Sequence, residues 1–157
     1  MEEIFRKYPI GIQSFEKLRN NNYVYVDKTS LIYKLANTNS TYFLSRPRRF
    51  GKSLLVSTLE AYFLGKKELF HGLAMETLEK EWTVYPVLHL DFSVSKYMTA
   101  DMLSAAINRQ LLQWEKLYGR EEGETTFSLR FEGIIHRAYQ QTGKQAVVLI
   151  DEYDSPM

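Results

Sequence analysis

Two short stretches carry residue types that suit phosphate chemistry: Arg46-Pro-Arg-Arg-Phe-Gly-Lys-Ser53 and Val147-Val-Leu-Ile-Asp-Glu152. A triphosphate needs many donors at once. The backbone N–H groups of a tight loop and of a helix start supply them, and the helix dipole adds a favourable field. In the first stretch Gly51 allows close backbone approach, Lys52 reaches the β- and γ-phosphates, and the Ser53 hydroxyl suits Mg²⁺. The second stretch is four apolar residues ending in two acids, as expected for a strand whose C-terminal end presents carboxylates. Mg²⁺ takes hard oxygen ligands and keeps several waters, so Ser53, Asp151 and the phosphates suffice. Glu152 is then placed to polarise a water against the γ-phosphate, and Asp154 to add outer contacts. A second apolar run ending in an acid, Val87-Leu-His-Leu-Asp91, ranks below it because no Glu follows and His89 interrupts it.

The usual phosphate-loop pattern has a Gly five residues before Gly51, where this chain has Arg46. The surroundings matter more than that position. Thr41-Tyr-Phe-Leu44 reads as a short buried strand before the loop, and an amphipathic helix follows with Leu54, Leu55, Leu59, Tyr62 and Phe63 on one face and Gly65 as its stop. Strand, loop and helix in that order are the context in which Gly-Lys-Ser becomes a phosphate cradle.

The remaining elements can be read from period and punctuation. A short helix is expected over Ser14 to Arg19, an alternating strand over Tyr23 to Val26, and a helix capped by Asp27 or Thr29 running to about Ala36. A helical stretch is expected over Glu68 to Glu81, then a buried strand after Pro86. Leu103, Ile107, Leu111, Trp114 and Tyr118 form one helical stripe ended by Gly119, and Phe127, Phe131, Ile134, Ile135, Ala138 and Tyr139 form another ended by Gly143. The last strand is Ala146 to Ile150. Continuously apolar strands alternating with helices predict an α/β fold: a parallel sheet covered on both faces, with right-handed crossovers and strand order first, third, second.

Composition narrows the class. Twenty basic against 19 acidic residues give a net charge of +1, so attraction for nucleic acid rests only on the cluster Arg46, Arg48, Arg49 and Lys52. The absence of cysteine excludes disulfides, thiolate metal sites and cysteine nucleophiles, and suits a reducing compartment. The N-terminus is acidic where a signal peptide is basic, and no apolar run approaches the roughly 18 residues of a membrane helix, so a cytoplasmic protein without membrane contact is expected. His71, His89 and His136 are scattered and read as structural.

With these residues placed, the chain resembles the N-terminal part of the predicted AAA-ATPase-like family of bacterial proteins, in which such a domain is commonly followed by a PD-(D/E)XK nuclease-like domain. The resemblance runs through Pro9-Ile-Gly-Ile12, Phe15-Glu-Lys-Leu-Arg19, Tyr25-Val-Asp-Lys-Thr29, Arg46-Pro-Arg-Arg-Phe-Gly-Lys-Ser53, Leu90-Asp-Phe-Ser93 and Leu149-Ile-Asp-Glu-Tyr-Asp154. The loop form with Arg at position 46 is the family's own variant. The resemblance implies ATP and Mg²⁺ as cofactors and a nucleotide-binding run of Arg46, Pro47, Arg48, Arg49, Phe50, Gly51, Lys52, Ser53 and Leu54. Ser53 and Asp151 become metal ligands, Glu152 the catalytic base, Lys52 the group that stabilises charge on the β- and γ-phosphates, and Ile10 to Ile12 neighbours of the adenine. It also implies a P-loop three-layer sandwich, with residues 1–40 as an N-terminal extension and 41–157 as the core. A complete fold of this kind continues with further strands, a sensor residue, a helical lid and an arginine finger. The chain is therefore expected to be the N-terminal part of a longer ATPase, with weak or no turnover alone. A non-hydrolysing nucleotide switch and a nucleic-acid-binding module are the alternatives, and oligomerisation stays open.

Overall fold

Ser14 caps a helix, its hydroxyl accepting from the Lys17 N–H at 3.3 Å. A computed structural model describes residues 14–38, 52–91 and 99–151. The chain divides into two compact units, Met1–Val84 and Tyr85–Met157.

In the first unit the helices are α1 (Phe15–Asn20), α2 (Thr29–Thr38), α3 (Lys52–Phe63) and α4 (Ala74–Leu78), with a 3₁₀ turn at Lys67–Phe70 before α4. Their shared core is aromatic. Phe15 and Phe70 are fully buried with ring centroids 4.9 Å apart, and Tyr25 meets Phe15 edge-on at 5.3 Å. Tyr62, Trp82 and Phe70 extend the cluster, with Trp82 centroids 6.0 Å from Tyr62 and 5.2 Å from Phe70. Helix α3 is covered on more than the single face its leucines suggest. Val56, Thr58, Ala61 and Tyr62 are its buried residues, while Leu54, Leu55, Leu59 and Phe63 are half-buried against the same core. Gly65 ends it as expected: its φ is +69°, and a Cβ there would lie 2.8 Å from the Trp82 carbonyl oxygen.

Two expected elements differ. Tyr23 to Val26 is not a strand; only Tyr23 makes an isolated bridge, and residues 24–28 have no regular structure. Tyr25 turns into the aromatic core there, Val26 is 71% exposed, and the next residues are drawn into helix capping. The single helix expected over Glu68 to Glu81 is instead the 3₁₀ turn and the five-residue α4. Gly72, at φ +80°, separates them, and the extended backbone of Glu79 ends α4.

Asp27 and Thr29 both act as caps, and they join two helices. One Asp27 carboxylate oxygen accepts from Thr29 N and Thr29 Oγ1 at 2.9 and 2.6 Å, and the other accepts from Ala74 N at 2.8 Å. The fully buried Thr29 hydroxyl in turn accepts from Met75 N at 2.9 Å. The starts of α2 and α4 thus share one carboxylate. Desolvation raises the Asp27 pKa, but the hydrogen bonds from Thr29 and Ala74, with Arg19 nearby, outweigh it and hold the group below its ordinary value of 3.8. Glu124, held down chiefly by its hydrogen bonds to Arg137, lies below 4.5 in the same sense. A depressed carboxyl stabilises the fold above its unfolded pKa and loses that contribution as pH falls through the folded one. Urea midpoints should therefore be level near neutrality and fall below about pH 4, less steeply in Asp27→Asn. A midpoint that stays unchanged down to pH 3 contradicts this assignment.

In the second unit, strands β1 (Val87–Asp91) and β2 (Val147–Asp151) are connected through helices α5 (Ala100–Tyr118) and α6 (Phe127–Thr142). The strands pair in parallel, from Val87↔Val147 to Asp91↔Asp151. These are the second and third expected strands, adjacent as the expected order requires. The first, at Thr41 to Ser45, lies outside the described residues. Leu88, Leu90 and Val148 form one sheet face with Leu111, Trp114, Ile134 and Phe131 from the two helices, as the helical stripes foretell. Phe127 and Tyr139 depart from their stripe, being 39% and 51% exposed. Thr99 and Thr126 cap the helices by accepting from Met102 N and Leu129 N, and Gly119 and Gly143 follow their ends.

Ion pairs that periodicity does not signal join the helical region. Arg130 donates Nε and Nη2 to the Glu115 carboxylate at 3.2 and 2.6 Å, and Nη1 to Asn108 at 2.6 Å. Arg137 holds Glu124 through two bonds of 2.8 and 3.0 Å. Gly133 makes room for the second pair, since a Cβ there would lie 1.8 Å from Glu124 Oε2 and 2.9 Å from Arg137 Nη1. Alanine gains about 1 kcal/mol over glycine in helix propensity, yet Gly133→Ala displaces Glu124 from a mostly buried arginine. The net expectation is a loss of about 1–2 kcal/mol, after discounting a buried-pair penalty for partial exposure. An unchanged or higher urea midpoint sinks the assignment.

Candidate functional site

Lys52 is the first residue of α3, so Lys52 and Ser53 of the Gly-Lys-Ser triplet stand in its first turn. The first-turn amides of Lys52, Ser53 and Leu54 precede the point where intrahelical acceptors become available, and they stand at the positive end of the helix dipole. The Leu54 side chain packs against the first core, which leaves its backbone N–H as the group suited to a ligand. Arg46, Pro47, Arg48, Arg49, Phe50 and Gly51 lie outside the described residues.

The helix start is held from behind. Thr58, 1% exposed, donates its hydroxyl to the Leu54 carbonyl at 2.7 Å. Ser57 accepts the Phe15 N–H at 2.8 Å, which satisfies a free donor at the start of α1. Neither residue stood out in the sequence, where the only signal was a polar Ser-Thr pair inside a leucine-rich helix.

Asp151 is the last residue of β2, at the C-terminal edge of the parallel pair, and Asp91 is its register partner at the end of β1. In open parallel sheets this edge is where ligands bind. The acid ranked second in the sequence thus ends the strand beside Asp151. Glu152 and Asp154 lie outside the described residues. The structure therefore collects Lys52, Ser53 and Leu54 at one helix start in the first unit, and Asp91 and Asp151 at one sheet edge in the second.

The histidines have local surroundings. His71 is exposed beside Glu76 at 3.0 Å, His136 is exposed on α6, and His89 is half-buried within β1. Among the described residues no three metal-ligating side chains gather, and no helix is long and apolar enough to cross a membrane.

A small parallel sheet with helices, and a Gly-Lys-Ser helix start, are compatible with an α/β nucleotide-binding class. The family comparison is specific: the chain belongs to the AAA-ATPase-like family, described as predicted AAA-ATPase, whose model matches residues 9–157. The chain is also similar to a protein of Azotobacter chroococcum mcd 1 described as "Uncharacterized protein in vnfD 5'region", with 40% identity over 154 residues. That match covers 97% of this chain and 30% of the relative, so the chain spans under a third of the relative's length. No solved structure matches it.

Proposed function

We propose that this chain binds ATP with Mg²⁺ and forms the nucleotide-binding part of a protein that hydrolyses it. The observation that carries this reading is the position of Gly51-Lys52-Ser53 at the start of α3, in a chain of a family described as predicted AAA-ATPase. The helix-start amides and Lys52 provide donors for the β- and γ-phosphate oxygens, where negative charge concentrates during transfer. Ser53 stands in the first turn of α3 and Asp151 ends β2, and a hydroxyl and a carboxylate are each hard-oxygen groups of the kind that Mg²⁺ takes. When bound, Mg²⁺ supplies charge neutralisation on the phosphates. Glu152, next after the strand, is the group for accepting a proton from water as that water attacks the γ-phosphorus and the bond to the β–γ bridging oxygen breaks. The products are ADP and phosphate.

The test is Mg²⁺-dependent binding of a fluorescent ATP analogue by the 157-residue chain, with phosphate release measured on the longer protein. Glu152→Gln should retain binding and lose about 10²–10⁴-fold in turnover, the range for a general base. Absence of binding by the folded chain overturns the reading. Binding with turnover that Glu152→Gln leaves unchanged assigns the base elsewhere.

A further inference from the structure

We infer that α1 is a strut for the phosphate helix and that Ser57 is the positioning residue through which it acts. The inference rests on the nucleotide-binding reading above. Ser57 follows Ser53 by one helical turn, and its hydroxyl accepts the Phe15 N–H at 2.8 Å. Phe15 and Leu18 anchor the other side of α1, both with no exposed surface, and Phe15 stacks against Phe70 in the aromatic core. At the far end of α3, Lys66 pairs with Glu16 of α1 at 3.0 Å. Beside these ties lies an open depression of about 110 Å³, with Ser14, Ser57, Glu60 and Lys66 in its lining. Where packing leaves space, a directional hydrogen bond sets the spacing of two elements more than contact does.

The bond has a consequence for the ligand because α3 is short and its first turn is the proposed phosphate cradle. Thr58 ties that turn to the body of the helix through the Leu54 carbonyl. A displacement of α3 along the α1 seam therefore carries the cradle amides with it, and sub-ångström placement of such donors governs their strength. Coupling of this kind is reciprocal. Nucleotide held at the start of α3 should restrain α1, and the Phe15 amide reports it directly.

The experiment measures Mg²⁺–ATP affinity and hydrogen exchange of the Phe15 amide in the 157-residue chain and three variants. Ser57→Ala should bind about five-fold more weakly, the equivalent of one neutral hydrogen bond. Ser57→Thr keeps the hydroxyl, has the adjoining depression for its methyl, and should restore wild-type affinity. Tyr62→Phe, which removes the phenol that donates to Glu79 and accepts from Asn37 Nδ2 at the other end of α3, should lower stability without changing affinity. Nucleotide should slow Phe15 amide exchange in the wild type and leave it unchanged in Ser57→Ala. Wild-type affinity in Ser57→Ala overturns the inference, as does equal weakening in Tyr62→Phe, which marks a general stability effect. If Ser57→Ala does not fold, Phe15 exchange in the wild type decides: unchanged exchange with nucleotide bound overturns the strut. Failure of the wild type to bind nucleotide removes the underlying reading, and is distinct from binding without coupling.

Discussion

Lys52→Ala should weaken Mg²⁺-dependent nucleotide binding by about 10²–10³-fold, the loss of two charge-assisted hydrogen bonds of roughly 1.5–3 kcal/mol each, discounted for partial replacement by water. Place matters here as well as residue type. Lys52 opens α3, at the positive end of its dipole. A cation at a helix start gains nothing from the dipole, so the value of a lysine there lies in the anion-bound state. The free chain should accordingly keep its urea midpoint within about 0.5 kcal/mol of wild type, as for a surface substitution. Fluorescence anisotropy with an ATP analogue separates the two effects. Equal affinity in wild type and Lys52→Ala excludes the phosphate cradle; equal loss of affinity and stability makes Lys52 a structural residue.

The second large effect is on stability. Arg130→Met should cost about 3 kcal/mol, because it leaves the Glu115 carboxylate buried without its principal partner. The side chains of Arg130 and Glu115 are each only 6% exposed, and Arg120, at 3.6 Å from Glu115, is itself 48% exposed and a poorer substitute. The Glu115 hydrogen bond raises the Arg130 pKa, so the guanidinium stays charged in the fold. Adding Glu115→Leu to Arg130→Met should recover most of the loss, since an apolar pair of similar volume carries no desolvation penalty. The double-mutant cycle in urea should therefore give a strong coupling between the sites. Additive single losses contradict the pair as described.

The two effects touch different units, and that separation is informative. Lys52 stands in the unit Met1–Val84, and the Arg130–Glu115 pair supports the unit that carries Asp151. Loss of the Arg130–Glu115 pair is accordingly read as stability of the second unit, and loss of Lys52 as nucleotide affinity.

Local order explains what could be read in advance. The stripes Leu103–Tyr118 and Phe127–Tyr139 became α5 and α6, and the apolar runs after Pro86 and before Glu152 became adjacent parallel strands. The arrest of α3 at Gly65, of α5 at Gly119 and of α6 at Gly143 depends on atoms within a turn of one another. The Gly-Lys-Ser triplet at a helix start, and family membership, were legible for the same reason: each is a pattern of near neighbours.

Tertiary structure decided the rest where partners are far apart in the chain. Tyr23 to Val26 alternates like a strand, yet no ladder forms beyond the bridge at Tyr23, because Asp27 spends its carboxylate on amides at Thr29 and, 47 residues away, Ala74. The expected helix from Glu68 to Glu81 gave way to a 3₁₀ turn and α4, since Leu69, Phe70, Leu73 and Met75 are all buried from an irregular path. Ser57 reaches Phe15 across 42 residues, and Arg130 reaches Glu115 across 15. Asp91 meets Asp151 only through the sheet register. By itself the sequence determined most of the elements and the Gly-Lys-Ser pattern, because helix and strand periods and short motifs are properties of adjacent residues. The folded chain alone decided which polar groups share hydrogen bonds, because burial drives most donors and acceptors to find a partner, and the partner in space is often distant in sequence.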